Sequence, residues 1–208
     1  MLVLALAACA PSDPPIESGG YVSAQLFPFD GERTWTYRST DDTLAYELVV
    51  VSEPPPDVAD ALNVYTVRYA RRCVSNDPEC VDGEAFSLRW ASRVGEGVLV
   101  YGYDDVQLDP PVRIADDRTD AGDVAETVTG GATWTSAMEG MSDCPVAMAV
   151  EWDSCARFVV ESDADGGPLA GTWWAARGHN VVAFEPAGDV GRWELAELDC
   201  EGECDGTW

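Results

Sequence analysis

Cys73, Cys80, Cys144, Cys155, Cys200 and Cys204 are the side chains whose spacing most directly implies a chemistry. Cysteines this frequent point to an oxidising compartment, where thiols pair as disulfides. The six can pair in many ways, and connectivity does not follow from sequence alone. Cys73 and Cys80 flank the turn VSNDPE and would face each other at a hairpin mouth. Cys200 and Cys204 can close around Glu201-Gly202-Glu203 if the chain turns sharply at the glycine. Cys144 with Cys155 follows by elimination, and it requires the intervening segment to bend, because bridged cysteines have Cα atoms within about 7 Å. Zinc is the competing chemistry. It is disfavoured because two-residue cysteine spacings are missing and the chain has a single histidine, His179.

His179 is also the only candidate for a histidine base in a Ser-His-Asp or Cys-His mechanism. Its surroundings, RGHNVV, read as an exposed turn between strands, and no serine sits in a nucleophile-elbow pattern. Phosphate-loop and dinucleotide glycine patterns are missing. Paired carboxylates could serve a hydrolase, but among 38 acidic residues no pair is singled out. Calcium is the one metal the sequence suggests. Glu161, Asp163 and Asp165 alternate before Gly166-Gly167, as a calcium loop can begin, yet residue 172 is threonine where an EF-hand closes with glutamate. Asp116, Asp117, Asp120 and Asp123 form a second acidic cluster. The expectation is no catalytic residue, no metal site and no cofactor, with calcium as the sole alternative.

The elements that must position these residues read as strands. RTWTYRS (33–39), TLAYELVVV (43–51), LNVYTVRYA (62–70), EAFSLRWAS (84–92) and GVLVYGY (97–103) alternate or are rich in β-formers. So do PVAMAVEW (145–152), CARFVVES (155–162), GTWWAAR (171–177), NVVAFEP (180–186) and GRWELAEL (191–198). Asp41-Asp42, Pro54-Pro55-Pro56, Ser75-Asn76-Asp77-Pro78, Asp165-Gly166-Gly167 and Gly188-Asp189 supply the turns. Asp57 to Leu62 alone reads as helical, and Asp109 to Gly131 reads as an exposed loop. Glycine feeds a tryptophan repeatedly, in GERTWTY, GGATWTS and GTWWAAR, at unequal intervals that exclude a repeat array. Trp35, Trp134 and Trp173 are expected in the core. The fold class is all-β: an antiparallel meander forming a sandwich, barrel or half-barrel, stapled by disulfides, as one domain over residues 21–208.

The seventh cysteine, Cys9, ends the apolar run MLVLALAA and precedes a polar segment broken by prolines. Leu6-Ala7-Ala8-Cys9 resembles the lipobox of bacterial lipoproteins. That resemblance implies a signal peptide over residues 1–8 and lipid attachment at the Cys9 sulfur; since no basic residue precedes the apolar run, the expectation is that the true start lies upstream or that the signal was trimmed. Ala10 in place of aspartate resembles outer-membrane sorting. Residues 9–20 then form the lipidated cysteine and a flexible tether; stretched out, such a segment spans roughly 30 Å. FPFDGERTWTYRS is similar to an F/Y-P-x-x-x-G-x-x-W-x-Y opening of uncharacterised β-rich envelope lipoproteins, through Phe27, Pro28, Trp35 and Tyr37, with Gly31 one place early. Trp173 to Phe184 resembles a closing segment of the same proteins, with His179-Asn180 departing from it. These likenesses imply a fold and a location, and no activity.

Twelve arginines, no lysine and 38 acids give a formal charge of −26. Such a field repels nucleic acid and anionic lipid surfaces. The expected partners are the membrane, through the lipid anchor, and an apolar ligand or an envelope protein; nucleic acid is excluded. The leading expectation is therefore an outer-membrane lipoprotein, on its periplasmic or surface face, with a non-enzymatic binding or structural β-domain. A carboxylate-dependent periplasmic or surface hydrolase is the alternative.

Overall fold

The computed structural model describes residues 21–28, 33–41, 43–53, 64–74, 78–147, 154–188 and 191–200. Their elements are β1 (Tyr21–Val22), α1 (Ser23–Leu26), β2 (Arg33–Ser39), β3 (Tyr46–Glu53), β4 (Tyr65–Cys73), β5 (Gly83–Arg93) and β6 (Gly97–Tyr103). There follow β7 (Val106–Ala115), β8 (Arg118–Thr119), β9 (Val124–Thr129), β10 (Ala132–Ser142) and β11 (Cys155–Ser162). A 3-10 turn (Gly167–Leu169) leads to β12 (Gly171–Ala176), β13 (Asn180–Pro186) and β14 (Trp193–Cys200). Period-two alternation makes these strands: β10, ATWTSAMEGMS, buries Ala132, Trp134, Ser136 and Met138 while the residues between them are only half-buried.

Twelve strands form one antiparallel sheet in the order β7-β6-β5-β4-β3-β2-β14-β13-β12-β11-β10-β9. The sheet curls into a nearly closed barrel, and its two edge strands, β7 and β9, lie against each other. Side chains stitch this seam in place of a backbone ladder: the Arg113 amide donates to Thr127 Oγ1 (3.1 Å) and the buried Ser136 hydroxyl donates to the Ile114 carbonyl (2.7 Å). Pro110 and Pro111 have no amide hydrogen to give to a ladder, and they fall in the stretch of β7 skipped by its pairing with β6.

The interior is aromatic throughout. Trp193, Phe184, Trp173, Trp90, Phe27 and Phe158 form a chain of ring contacts, with successive centroids 5.2 to 6.4 Å apart. Trp35, Trp134 and Trp173 are all buried, as expected from the glycine-to-tryptophan pattern. Both barrel ends are stoppered. At one, α1 and Phe27 insert Leu26 and Phe27, held by Ser23 N–H donating to Asp117 O (2.9 Å), Gly178 N–H donating to Gln25 O (2.8 Å) and the two-residue β1–β8 pairing. At the other, the 3-10 turn places Leu169 inside, and its carbonyl accepts from Trp173 Nε1 (2.9 Å).

Two expectations change. Asp109–Gly131 is not a loop: it contains the end of β7, then β8 and β9. Asp116, Asp117, Asp120, Gly122, Asp123, Gly130 and Gly131 lie in the turns between strands, and β9 keeps a clean alternation of exposed Val124, Glu126 and Val128. Residues 145–147 are not strand; Ala147 N–H instead donates to Leu195 O (3.0 Å) on β14, which pairs with β13 through only two residues. The rest of the expected strand, and the expected helix at 57–62, lie outside the described residues. Among the described residues the α-helix is α1, in a segment with no helical periodicity.

Candidate functional site

A barrel that carries ligands needs an empty interior. Here the cavity bounded by Trp35, Tyr37, Val50, Tyr69, Trp90 and Asn180 is only about 10 Å³, room for the centre of a single water. Tyr37 donates its hydroxyl to Val181 O (2.6 Å), and burial, with the neighbouring Tyr69, pushes its ionisation far above the ordinary tyrosine range. The Tyr37 phenol is a core hydrogen-bonding group and not an acid.

Four of the predicted disulfide cysteines pair as the sequence suggested. Cys73 and Cys80 close the β4–β5 connection with Cα atoms 5.9 Å apart. Cys144 and Cys155 are 5.0 Å apart at the β10–β11 connection. This second bridge forms because Cys155 pairs in register with Ser142, so Cys144, two residues on, needs only to fold back. The Cys200–Cys204 pair lies outside the described residues, apart from the backbone of Cys200 in β14, and so does Cys9.

His179 departs from the exposed-turn expectation. It is half-buried in the β12–β13 turn, where its carbonyl accepts from Trp35 Nε1 (3.2 Å) and the Gly178 carbonyl accepts from Arg33 Nη1 (2.8 Å). Burial lowers the affinity of its imidazole for a proton, and the positive charge of Arg33 lowers it further. Asn180 Nδ2 donates to Pro28 O (3.1 Å), so this turn grips the α1 segment from above. It belongs to the stopper.

The acidic segments serve turns. Asp163 Oδ1 accepts from the Thr133 amide (2.8 Å), Asp165 Oδ1 from the Gly167 amide (3.0 Å), Asp123 Oδ2 from the Asp120 amide (2.7 Å) and Asp117 Oδ1 from the Gly95 amide (2.5 Å). Asp116 pairs with Arg113 (3.1 Å). Among the described residues no three His, Cys, Asp or Glu side chains converge to hold a metal ion. Asp163 and Asp165, two of the three acids whose alternation suggested a calcium loop, thus cap backbone amides.

The outer wall is where polar groups do gather. Cross-strand register aligns Arg157, Trp174, Ala183, Glu194 and Arg38 in one row. Glu47 and Arg72 continue it: Glu47 accepts from Arg38 Nε and Arg72 Nη2, both at 2.7 Å. Burial alone would raise the Glu47 carboxyl, but the hydrogen bonds and charges of Arg72 and Arg38 overcome it and hold the group below the ordinary range. At the other end of the row Arg157 and Arg192 sit over the Trp174 ring, 5.7 and 5.6 Å from its centre, and pair with Glu139 and Glu194 respectively. An outward tryptophan is thereby buried beneath guanidinium groups, and the belt consumes its own charges.

A second outer feature does not. Between β4, β5 and the β6–β7 turn lies a polar groove of about 480 Å³ lined by Arg68, Arg89, Thr66, Ser87, Asp104 and Asp105. Gly102 makes it: a Cβ there would meet Arg89 Nη2 at 2.1 Å and Val106 O at 2.2 Å, so only glycine lets Arg89 lie flat on the strand and donate to Val106 O (2.6 Å). Nothing in the sequence marked this groove. YGYDD reads as a hairpin tip, and Arg89 becomes a floor residue only once register sets it opposite Gly102. No protein-family model matches the chain, and it matches no curated protein and no solved structure.

Proposed function

We propose that this chain is a bacterial envelope lipoprotein, anchored in the outer membrane by lipid on Cys9, whose β-domain binds or supports partners without catalysing a reaction. The filled interior is the observation that carries the non-catalytic part. The cavity among Trp35, Tyr37, Tyr69 and Trp90 is about 10 Å³ and each end carries a stopper, so the described interior offers an acyl chain no room, recognition falls to the outer wall and an envelope protein becomes the better partner. The anchor rests on Leu6-Ala7-Ala8-Cys9 and the polar tether after it. Because residue 21 joins the barrel at the α1 stopper, that end would face the membrane. The 3-10 turn and the Cys73–Cys80 hairpin would then face away from it.

Among the described residues no observation favours the hydrolase alternative. Asp41 is held below the ordinary carboxylate range by hydrogen bonds from the Thr43 side chain and amide, and Glu47 by its arginines, the opposite of what a general acid requires. The test of the anchor is fractionation of bacteria expressing the chain. Wild type is expected in the membrane fraction and released by detergent, and Cys9→Ser in the soluble periplasmic fraction. Cys9→Ser protein that still sediments with membranes would overturn the lipid anchor.

A further inference from the structure

We propose that the outer groove over β4, β5 and the β6–β7 turn is a binding site for a zwitterionic, amino-acid-like group, taking its carboxylate on Arg89 and its ammonium on Asp105. The proposal rests on reading the domain as a binding module, and not on the anchor.

Arg89 is half-buried on the groove floor, and among the described residues no carboxylate comes within ion-pairing distance of it. In a chain of 38 acids, Arg38, Arg68, Arg72, Arg113, Arg157 and Arg192 carry carboxylate partners, whereas Arg89, like Arg71 and Arg177, has none among the described residues. One nitrogen of Arg89 donates to Val106 O, while its Nε is buried with no hydrogen-bond partner. The Arg89 guanidinium thus lines the groove with hydrogen-bonding capacity that the fold leaves unused. A planar carboxylate matches the guanidinium fork. The hydroxyls of Thr66 and Ser87 flank the same floor, and Arg68, although held by Glu53 and Glu84 (2.9 and 3.2 Å), lies beside them.

The opposite wall is acidic. Asp104 is tied back, its Oδ1 accepting from the Ser87 amide (2.7 Å). Asp105 is exposed and makes no hydrogen bond or ion pair among the described residues. The groove therefore presents an uncommitted cation and an uncommitted anion that do not meet each other. A simple anion would be repelled by Glu84, Asp104, Asp105 and the net charge of −26. A saccharide would want an aromatic platform, and no aromatic residue lines the groove. A ligand carrying both charges satisfies both walls.

The test uses the unlipidated full chain at low ionic strength, with amide and arginine Nε–H shifts followed by NMR. Three probes are titrated: Nα-acetyl-lysine, which carries carboxylate and ammonium; Nα-acetyl-norleucine, which carries the carboxylate only; and Nα-acetyl-lysine amide, which carries the ammonium only. The expected result is saturable shifts at Arg89 Nε–H and the Ser87 amide with the zwitterion, and binding about tenfold weaker for each single-charge probe. Asp105→Asn, which disturbs no hydrogen bond of the fold, is expected to weaken the zwitterion by about tenfold as well, and Arg89→Gln to abolish binding. No saturable shift, equal binding of the three probes, or no effect of Asp105→Asn would each overturn the proposal. None of these outcomes bears on the Cys9 fractionation, whose failure would leave the groove intact.

Discussion

One end of the barrel is closed by Leu26 and Phe27, carried from the beginning of the fold to partners on β5 and β11. The other is closed by Leu169, which caps a tryptophan four residues away. Both stoppers are fully buried, but the first is a long-range closure and the second a local one. A local plug forms with its own hairpin. A long-range plug must wait until the wall exists, and it then ties the start of the domain, and any tether before it, to the centre of the core.

The comparison can be broken by truncating each stopper. Phe27→Ala removes a ring packed against Trp90 and Phe158 and is expected to cost about 3–5 kcal/mol. Leu169→Ala should cost about 2–5 kcal/mol, at the lower end because its neighbours in the turn can collapse toward Trp173. Urea unfolding checks both, and a Leu169 variant weaker than the Phe27 variant would reverse the ranking.

The disulfides sharpen the same contrast. Each typically contributes about 2–4 kcal/mol, more for longer loops. Cys144–Cys155 spans 11 residues and Cys155 is fully buried, whereas Cys73–Cys80 spans seven at a hairpin mouth. Replacing the first pair by alanines is expected to lower the unfolding midpoint more than replacing the second. Equal losses would mean that loop length and burial do not set the difference.

At the local end, Gly167 has φ +51°, and a Cβ there would press on the Tyr103 ring at 2.7 Å. Gly167→Ala is expected to destabilise by about 1–2 kcal/mol, measured by thermal or urea unfolding. An unchanged midpoint would show that Tyr103 moves aside freely.

The smallest effect concerns the long-range end. His179 has a folded pKa below its ordinary 6.5, so on acidification the unfolded chain takes up the proton first. The contribution of His179 is thus intact above 6.5 and declines as pH falls toward the folded value. Wild type should lose more stability than His179→Gln between about pH 7.5 and about pH 5.5, and parallel losses would exclude His179 from the stopper's pH response.

What the sequence made legible follows the same division between local and long-range order. Strands such as 33–39, 97–103, 155–162 and 180–186 coincide with the expected ranges, because alternation is a property of neighbouring residues. The turn at Asp165-Gly166-Gly167 was visible for the same reason, though not that it would seat Leu169 inside. The Cys144–Cys155 bridge was correctly paired for want of another partner, while the fold-back that permits it depends on the β10–β11 register. Phe27 was recognised only as part of an opening motif, since nothing at residues 21–28 announces a plug whose partners lie far along the chain. The groove was invisible because its chemistry needs Arg89 and Gly102 on adjacent strands. Alternating acids before glycines suit turn capping as well as they suit a metal, and here Asp163 and Asp165 accept from backbone amides.

The claim most exposed to test is that the barrel is full and acts through its outer wall. Native mass spectrometry of the Cys9→Ser chain, purified without detergent from bacterial envelopes, addresses it directly. The account predicts a bare polypeptide mass, with no lipid retained. A stoichiometric acyl ligand that leaves only on unfolding would contradict it, because the interior would then have to open around that ligand.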